Sequence, residues 1–207
     1  MKIEPVAESA ELHTEPARGR LGMWLFICTE LLLFGGLFLL YSAYRWKYPA
    51  DFHAASLELS RLDGTLNTSI LITSSFTVAV AILALERGDR RRAMAFVAAT
   101  IAFGAGFLVV KGFEWGTKFI HGLYPRSPVL LARPKGEILY IGLYFTMTGL
   151  HALHVIVGAS VLGVALALIR RGRITSEHPI VLRNAGLFWH LVDIIWIFLF
   201  PLFYLIS

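Results

Sequence analysis

Apolar and polar positions along this chain fall into long blocks rather than a short alternation. Apolar runs at residues 21–44, 67–85, 93–113, 138–169 and 180–206 are separated by polar segments. Each run approaches or exceeds the roughly 20 residues a helix needs to cross about 30 Å of hydrocarbon. None has the ten-residue alternation of a barrel strand, and backbone in lipid must satisfy its own hydrogen bonds, so every run is predicted to be helical. The expected fold is all-α: a polytopic membrane protein, a bundle of five transmembrane helices over residues 21–207, preceded by a polar tail at residues 1–20. The fourth run is longer than a bilayer needs and is expected to tilt or project. Pro49 and scattered charges in 45–66 suit one short interfacial helix, and the proline-containing 120–137 segment reads as a connector.

Composition removes the main alternative, because 57% apolar and 16% charged residues do not fit a soluble domain of this length. The tail mixes charge with Pro and Ala, shows no apolar face, and is expected to be mobile or held by a partner. No cleavable signal precedes the first run, which is expected to act as the targeting signal itself. Cys28, the one cysteine, excludes an intrachain disulfide and is assigned to packing.

Basic residues give an orientation. Lys2, Arg18, Arg20, the Arg87 to Arg92 cluster, Arg170, Arg171, Arg173 and Arg183 outnumber Arg45, Lys47, Arg61, Lys118, Arg126, Arg133 and Lys135 on the other side. The first set belongs inside, so the N-terminus is expected in the cytoplasm and the C-terminus outside. These clusters account for the net charge of +5 without nucleic acid, and anionic lipid headgroups are their natural neighbours.

Small or hydroxyl side chains four apart predict close helix contacts: Ser69, Thr73, Thr77 and Ala81; Ala98, Ala102 and Gly106; Ala159, Gly163 and Ala167. Against that apolar background the ionisable residues stand out. Glu30 lies near the bilayer midplane, where a charge costs on the order of 3 kcal/mol, so it must be neutral, paired or turned to a polar interior. Lys111, Glu114 and Lys118 share one helix face, as an ion-paired set or as a solvated, aromatic-rimmed helix end beside Trp115. His151 and His154 stand three apart in TGLHALHVIVG, and His190 and Asp193 three apart in FWHLVDIIWIFLFP, where Pro201 is expected to bend the helix.

These groups allow three readings. His154 and His190, on different helices, suit haem ligation. Glu30, His151, His154 and Asp193 suit stations of a proton relay. His–Asp and Glu–hydroxyl pairs also hold helices in register within a larger assembly, which the chemistry alone favours. No nucleotide-binding glycine loop, nucleophile elbow or CxxC motif is visible, so no catalytic residue and no metal site is assigned.

Taken together, LGMWLFICTELLLFGGLFLLYSAY, LNTSILITSSFTVAVA, LERGDRRRA, GFEW, TGLHALHVIVG and FWHLVDIIWIFLF resemble subunit III of the haem-copper terminal oxidases, the cytochrome c oxidase subunit III family, over about residues 21–204. The resemblance implies a bacterial five-helix form, lacking the two leading helices of the seven-helix subunit, in the plasma (inner) membrane. It implies a non-catalytic chain with no haem or copper of its own, those cofactors residing in partner subunits. The implied partners are oxidase subunit I, subunit II, small subunits and structural phospholipids, and the implied role is support of proton uptake and stable turnover. A quinol oxidase or nitric oxide reductase accessory subunit is the alternative within the class, and an autonomous proton channel or haem protein the rival outside it. Glu30 matches the family's buried acid, with Thr29 where Ser usually precedes it. Glu114, His151, His154, His190, Asp193, Trp189 and Trp196 match further signature positions. The two tryptophans join Arg170 and Arg171 as expected lipid contacts.

Overall fold

The computed structural model describes the backbone of residues 6–206 and the side chains of residues 21–206. Its helices are α1 (Val6–Lys47), α2 (Pro49–Ser56), α3 (Arg61–Glu86), α4 (Arg90–Ile120), α5 (Pro128–Leu131), α6 (Lys135–Arg170) and α7 (Ile180–Phe200), the last continued by a π-helical turn at Pro201–Leu205. Five of these are long and apolar enough to cross a membrane. From Val6 onward the tail continues the first spanning helix instead of forming an irregular segment. Its Ala, Glu, Leu and Arg are good helix formers, and α1 supplies the nucleus on which they add. Residues 1–5 and 207 lie outside the described residues.

Local signals set the helix ends. Between α3 and α4, Gly88 takes φ +80, a left-handed conformation that only glycine adopts without strain, while the Asp89 side chain accepts from Arg92 N at 3.0 Å. LERGDRRRA is therefore a helix stop and a helix start fused into one tight turn, and α3 and α4 form the most extensive helix pair. At the same end, Arg183 bridges to Glu86 at 2.7 Å and Arg90 donates to the Arg170 carbonyl. The opposite end carries α2 and α5. There Arg133 pairs with Glu58 and Glu137, Lys118 donates to the Glu58 carbonyl, and Asp51 accepts from Gly136 N at 3.0 Å.

The core gathers on α7, the most enclosed of the five, which packs against α1, α3 and α6; α1 is peripheral. Two glycines of neighbouring helices make room for the ring of Trp189. A Cβ on Gly104 of α4 would lie 2.6 Å from the Trp189 ring, and one on Gly158 of α6 would lie 2.9 Å from it. Gly104→Ala is therefore expected to cost about 1–3 kcal/mol as the ring is forced aside, whereas Gly106→Ala, with open space around it, should cost nothing measurable. Unfolding midpoints of the two variants in detergent micelles separate these outcomes.

The four-residue stripes anticipated from the sequence are mostly not the packed seams. Ser69, Thr73, Ala98, Ala102 and Ala167 are exposed, and Gly106 and Gly163 have open space beside them. The buried seams run through Ser74, Thr77, Val78 and Ala81 on α3; Ala93, Val97, Thr100, Gly104 and Phe107 on α4; and His151, Val155, Gly158, Leu162 and Ala165 on α6. Thr77 and Ala81 alone of the predicted set sit in a buried seam, and the Thr77 hydroxyl meets that of Thr100 at 2.8 Å across the α3–α4 contact. Cys28, assigned to packing, is exposed on the outer face of α1. Lipid and protein interior are equally apolar, so apolar residues give no direction to a helix face, and hydroxyls that bond their own backbone, such as Thr73 to Ser69 at 2.8 Å, tolerate the outside.

Candidate functional site

Glu30 of α1 faces α6, where its Oε2 lies 2.8 Å from Nε2 of His154. The other ring nitrogen, Nδ1, is 2.7 Å from the Leu150 carbonyl, which can only accept, so Nδ1 carries a hydrogen. Nε2 then either accepts from a protonated Glu30 or, in imidazolium, donates to its carboxylate. In both forms the two side chains share one proton and are neutral together. The acid near the bilayer midplane is thereby accommodated, by a histidine rather than the hydroxyl anticipated. Phe34 packs edge-on against the His154 ring, centroids 5.4 Å apart.

A second cluster joins α4, α6 and the C-terminal turn. Lys111 Nζ donates to Glu114 Oε2 at 2.8 Å and to the Tyr204 hydroxyl at 2.7 Å, while Tyr144 and Tyr204 both donate to Glu114 Oε1 at 2.7 Å. The ammonium also stands 4.7 Å from the Trp196 ring centroid, within cation–π range. Lys111 is 1% and Glu114 5% exposed, so the solvated helix-end reading of this stretch is replaced by an ion pair closed inside the bundle. Lys118 takes no part in that pair and turns to Glu58.

Pro201 opens the third feature. There the chain passes into the π-helical turn, and carbonyls at the end of that helix find side-chain donors: Tyr41 to Leu202 O and Tyr140 to Phe203 O, each at 2.8 Å. Arg45 closes the end with a bond to Ile206 O at 2.8 Å. This geometry carries Tyr204 to Lys111.

His190 and Asp193 do not pair. His190 Nδ1 bonds the Ser75 hydroxyl of α3 at 2.7 Å, and Asp193 adjoins the same hydroxyl without a bond of good geometry among the described residues. His151 is fully buried with both ring nitrogens likewise unbonded, its ring 5.1 Å from Trp196 and 5.3 Å from Phe107. Of the four residues read as relay stations, direct bonds join Glu30 to His154 and leave His151 and Asp193 outside that pair. His154 and His190 bond to different neighbours, and among the described residues no three His, Cys, Asp or Glu side chains converge. Trp189 and Trp196, expected at lipid, are both fully buried, their indole N–H groups donating to Ser74 at 2.9 Å and Thr68 at 3.0 Å. Their partners on α3 draw the rings inward.

The match to known sequences follows the same elements. The family model described as cytochrome c oxidase subunit III matches residues 9–207. The chain belongs to the cytochrome c oxidase subunit III family. Similar relatives named cytochrome c oxidase subunit 3 include that of Thermostichus vulcanus, 33% identical over 196 residues, 94% of this chain and 90% of the relative. Those of Gadus morhua, 31% identical over 206 residues, and Cyprinus carpio, 30% over 210, cover 91% and 93% of this chain and 70% and 72% of the relatives.

As a member of the subunit III family, the chain is a multi-pass membrane protein. Among the described residues, the ionisable groups in its spans include a His–Glu pair, a Lys–Glu–Tyr network and a Ser75–His190 bond beside Asp193, with His151 buried apart from them. Sequence reasoning placed Lys111 beside Glu114 but missed Tyr144 and Tyr204. Tyrosines inside apolar runs were the available signal, because a buried phenol needs a polar partner.

Proposed function

We propose that this chain is the non-catalytic subunit III of a proton-pumping haem-copper terminal oxidase in a bacterial plasma membrane, with its N-terminus cytoplasmic and its C-terminus outside. The observation that carries the reading is the family match across residues 9–207. In this role the chain packs on oxidase subunit I, near subunit II and small subunits, and leaves haem and copper to those partners. Glu30, Lys111, Glu114 and His190 make helix-to-helix bonds, as suits a supporting subunit. Arg170 and Arg171, exposed at the basic end, are suited to phospholipid headgroups.

Purifying the chain in mild detergent and recording reduced-minus-oxidised spectra of the complex, and of the chain stripped from it, tests this. Haem bands in the complex that are absent from the stripped chain are expected. Haem remaining with the stripped chain overturns the reading.

The Glu30–His154 pair is proposed to support proton uptake. Glu30→Gln keeps an N–H donor for His154 but removes the exchangeable proton. The expected result is near-normal oxygen reduction with slower proton uptake or altered subunit association, at a stability cost of about 1 kcal/mol for one interhelical bond. Complete loss of turnover in a fully assembled complex refutes the supporting role.

A further inference from the structure

Two polar side chains are shut inside the bundle without a protein partner. Asn67 of α3 and His151 of α6 are each 0% exposed. Among the described residues, no group bonds the Asn67 amide or either nitrogen of the His151 ring. The amide offers two N–H donors and an accepting oxygen, and each imidazole nitrogen is a donor or an acceptor. Leaving such groups unbonded in the interior costs more than a made bond returns, and buried polar groups without a protein partner are ordinarily met by ordered water.

Both side chains border the Lys111 network. Thr68, next to Asn67, accepts from the Trp196 indole at 3.0 Å, and the His151 ring lies 5.1 Å from the Trp196 ring. Phe107 packs edge-on against both rings. The Thr77–Thr100 and Lys118–Glu58 bonds set the α3–α4 register, which brings Asn67 to the level of Lys111. One turn before Asn67, Gly64 abuts the Tyr204 ring. Lys111 stands 4.7 Å from the Trp196 centroid and spends two of its three N–H groups on Glu114 and Tyr204.

The surroundings narrow the missing partner to one kind. Trp196 has a single N–H, already given to Thr68, and Phe107 has no polar atom. Full burial of Asn67 and His151 keeps lipid and a neighbouring subunit from reaching either. The Lys111 ammonium is balanced by the Glu114 carboxylate, so an ion of either sign would add an uncompensated charge to the interior. Water is neutral, both donates and accepts, and is held in protein interiors where it finds two to four polar partners.

We propose that the bundle encloses a water-binding site beside Trp196, where bound water bonds the Asn67 amide and the His151 imidazole and joins them to the Lys111–Glu114–Tyr204 network. The site gives α3, α4, α6 and the C-terminal turn one continuous polar centre. It does not depend on the assignment to an oxidase.

Two measurements on the full chain test the site. In a density map fine enough to show ordered water, peaks are expected within about 3.2 Å of the Asn67 amide and of a His151 nitrogen. A direct bond from either side chain to another protein group, or no peak at either, overturns the site. A peak that vanishes when chloride is replaced by gluconate overturns water in favour of an anion. Unfolding of Asn67→Leu, His151→Leu and the double variant in one detergent gives the second readout. Each single change strips the water of a partner and leaves the other side chain stranded, so the double variant should be more stable than the summed losses, by about tenfold in the unfolding equilibrium. Additive losses overturn the shared site. The wild-type map decides the matter where a variant fails to fold.

Discussion

Lys111→Met is expected to destabilise the bundle by about 3–5 kcal/mol, because it strands the Glu114 carboxylate in an interior it otherwise enters only as half of an ion pair. The two tyrosine hydroxyls on Oε1 remain, but Oε2 loses its one donor among the described residues and Tyr204 loses the ammonium on its oxygen. Glu114→Gln alone should cost a comparable amount, since it leaves the ammonium facing an amide, the Tyr204 oxygen and three aromatic rings. The double variant Lys111→Met, Glu114→Gln should lie much nearer the wild type than the sum of the singles, because the buried charge is then gone from both sides. Unfolding of all four proteins in one detergent gives the coupling energy directly. Additive losses would mean that the two side chains contribute through packing and not through charge.

The five-span architecture is legible in the sequence because length and apolarity are one-dimensional signals, and the bilayer enforces helix wherever they appear. The faces of the helices are less so. On α4 the stripe Ala98, Ala102, Gly106 looked like a contact and faces outward, while the buried line passes through Thr100, Gly104, Phe107, Lys111 and Glu114. The better guide was polarity, since a lysine and a glutamate in an apolar run must turn inward whatever the small residues do. Glu30 obeyed that rule, but its partner could not be read from one helix. His154 is on a different helix, 124 positions away in the chain, and the sequence pairing of His190 with Asp193 failed because Ser75 of α3 intervenes as the hydrogen-bond partner. Cys28 and the two tryptophans misled for the converse reason: a thiol is indifferent to lipid, and an indole at membrane depth goes wherever its N–H finds an oxygen.

Trp189→Ala is expected to be the most damaging apolar substitution, at about 3 kcal/mol, the low end of the range for an aromatic truncated to alanine in a core. Two terms set that position. The transfer term that operates in water is weak here, since the unfolded reference in a membrane keeps the ring in lipid as apolar as the bundle. The cavity term remains in full, because the ring is entirely buried and Gly104 and Gly158 offer no side chains to fill the space it leaves. Ser74 adds little, since its hydroxyl still donates to Leu71 O at 2.9 Å once the indole has gone. Trp189→Phe should therefore recover most of the loss, keeping ring volume while giving up one hydrogen bond worth about 1 kcal/mol. Pairing Trp189→Ala with Gly104→Leu offers a decisive check: the leucine, unable to coexist with tryptophan, should refill the cavity and restore stability, whereas a further loss would mean that the indole acts through its N–H bond to α3 and not through its fit between two glycines.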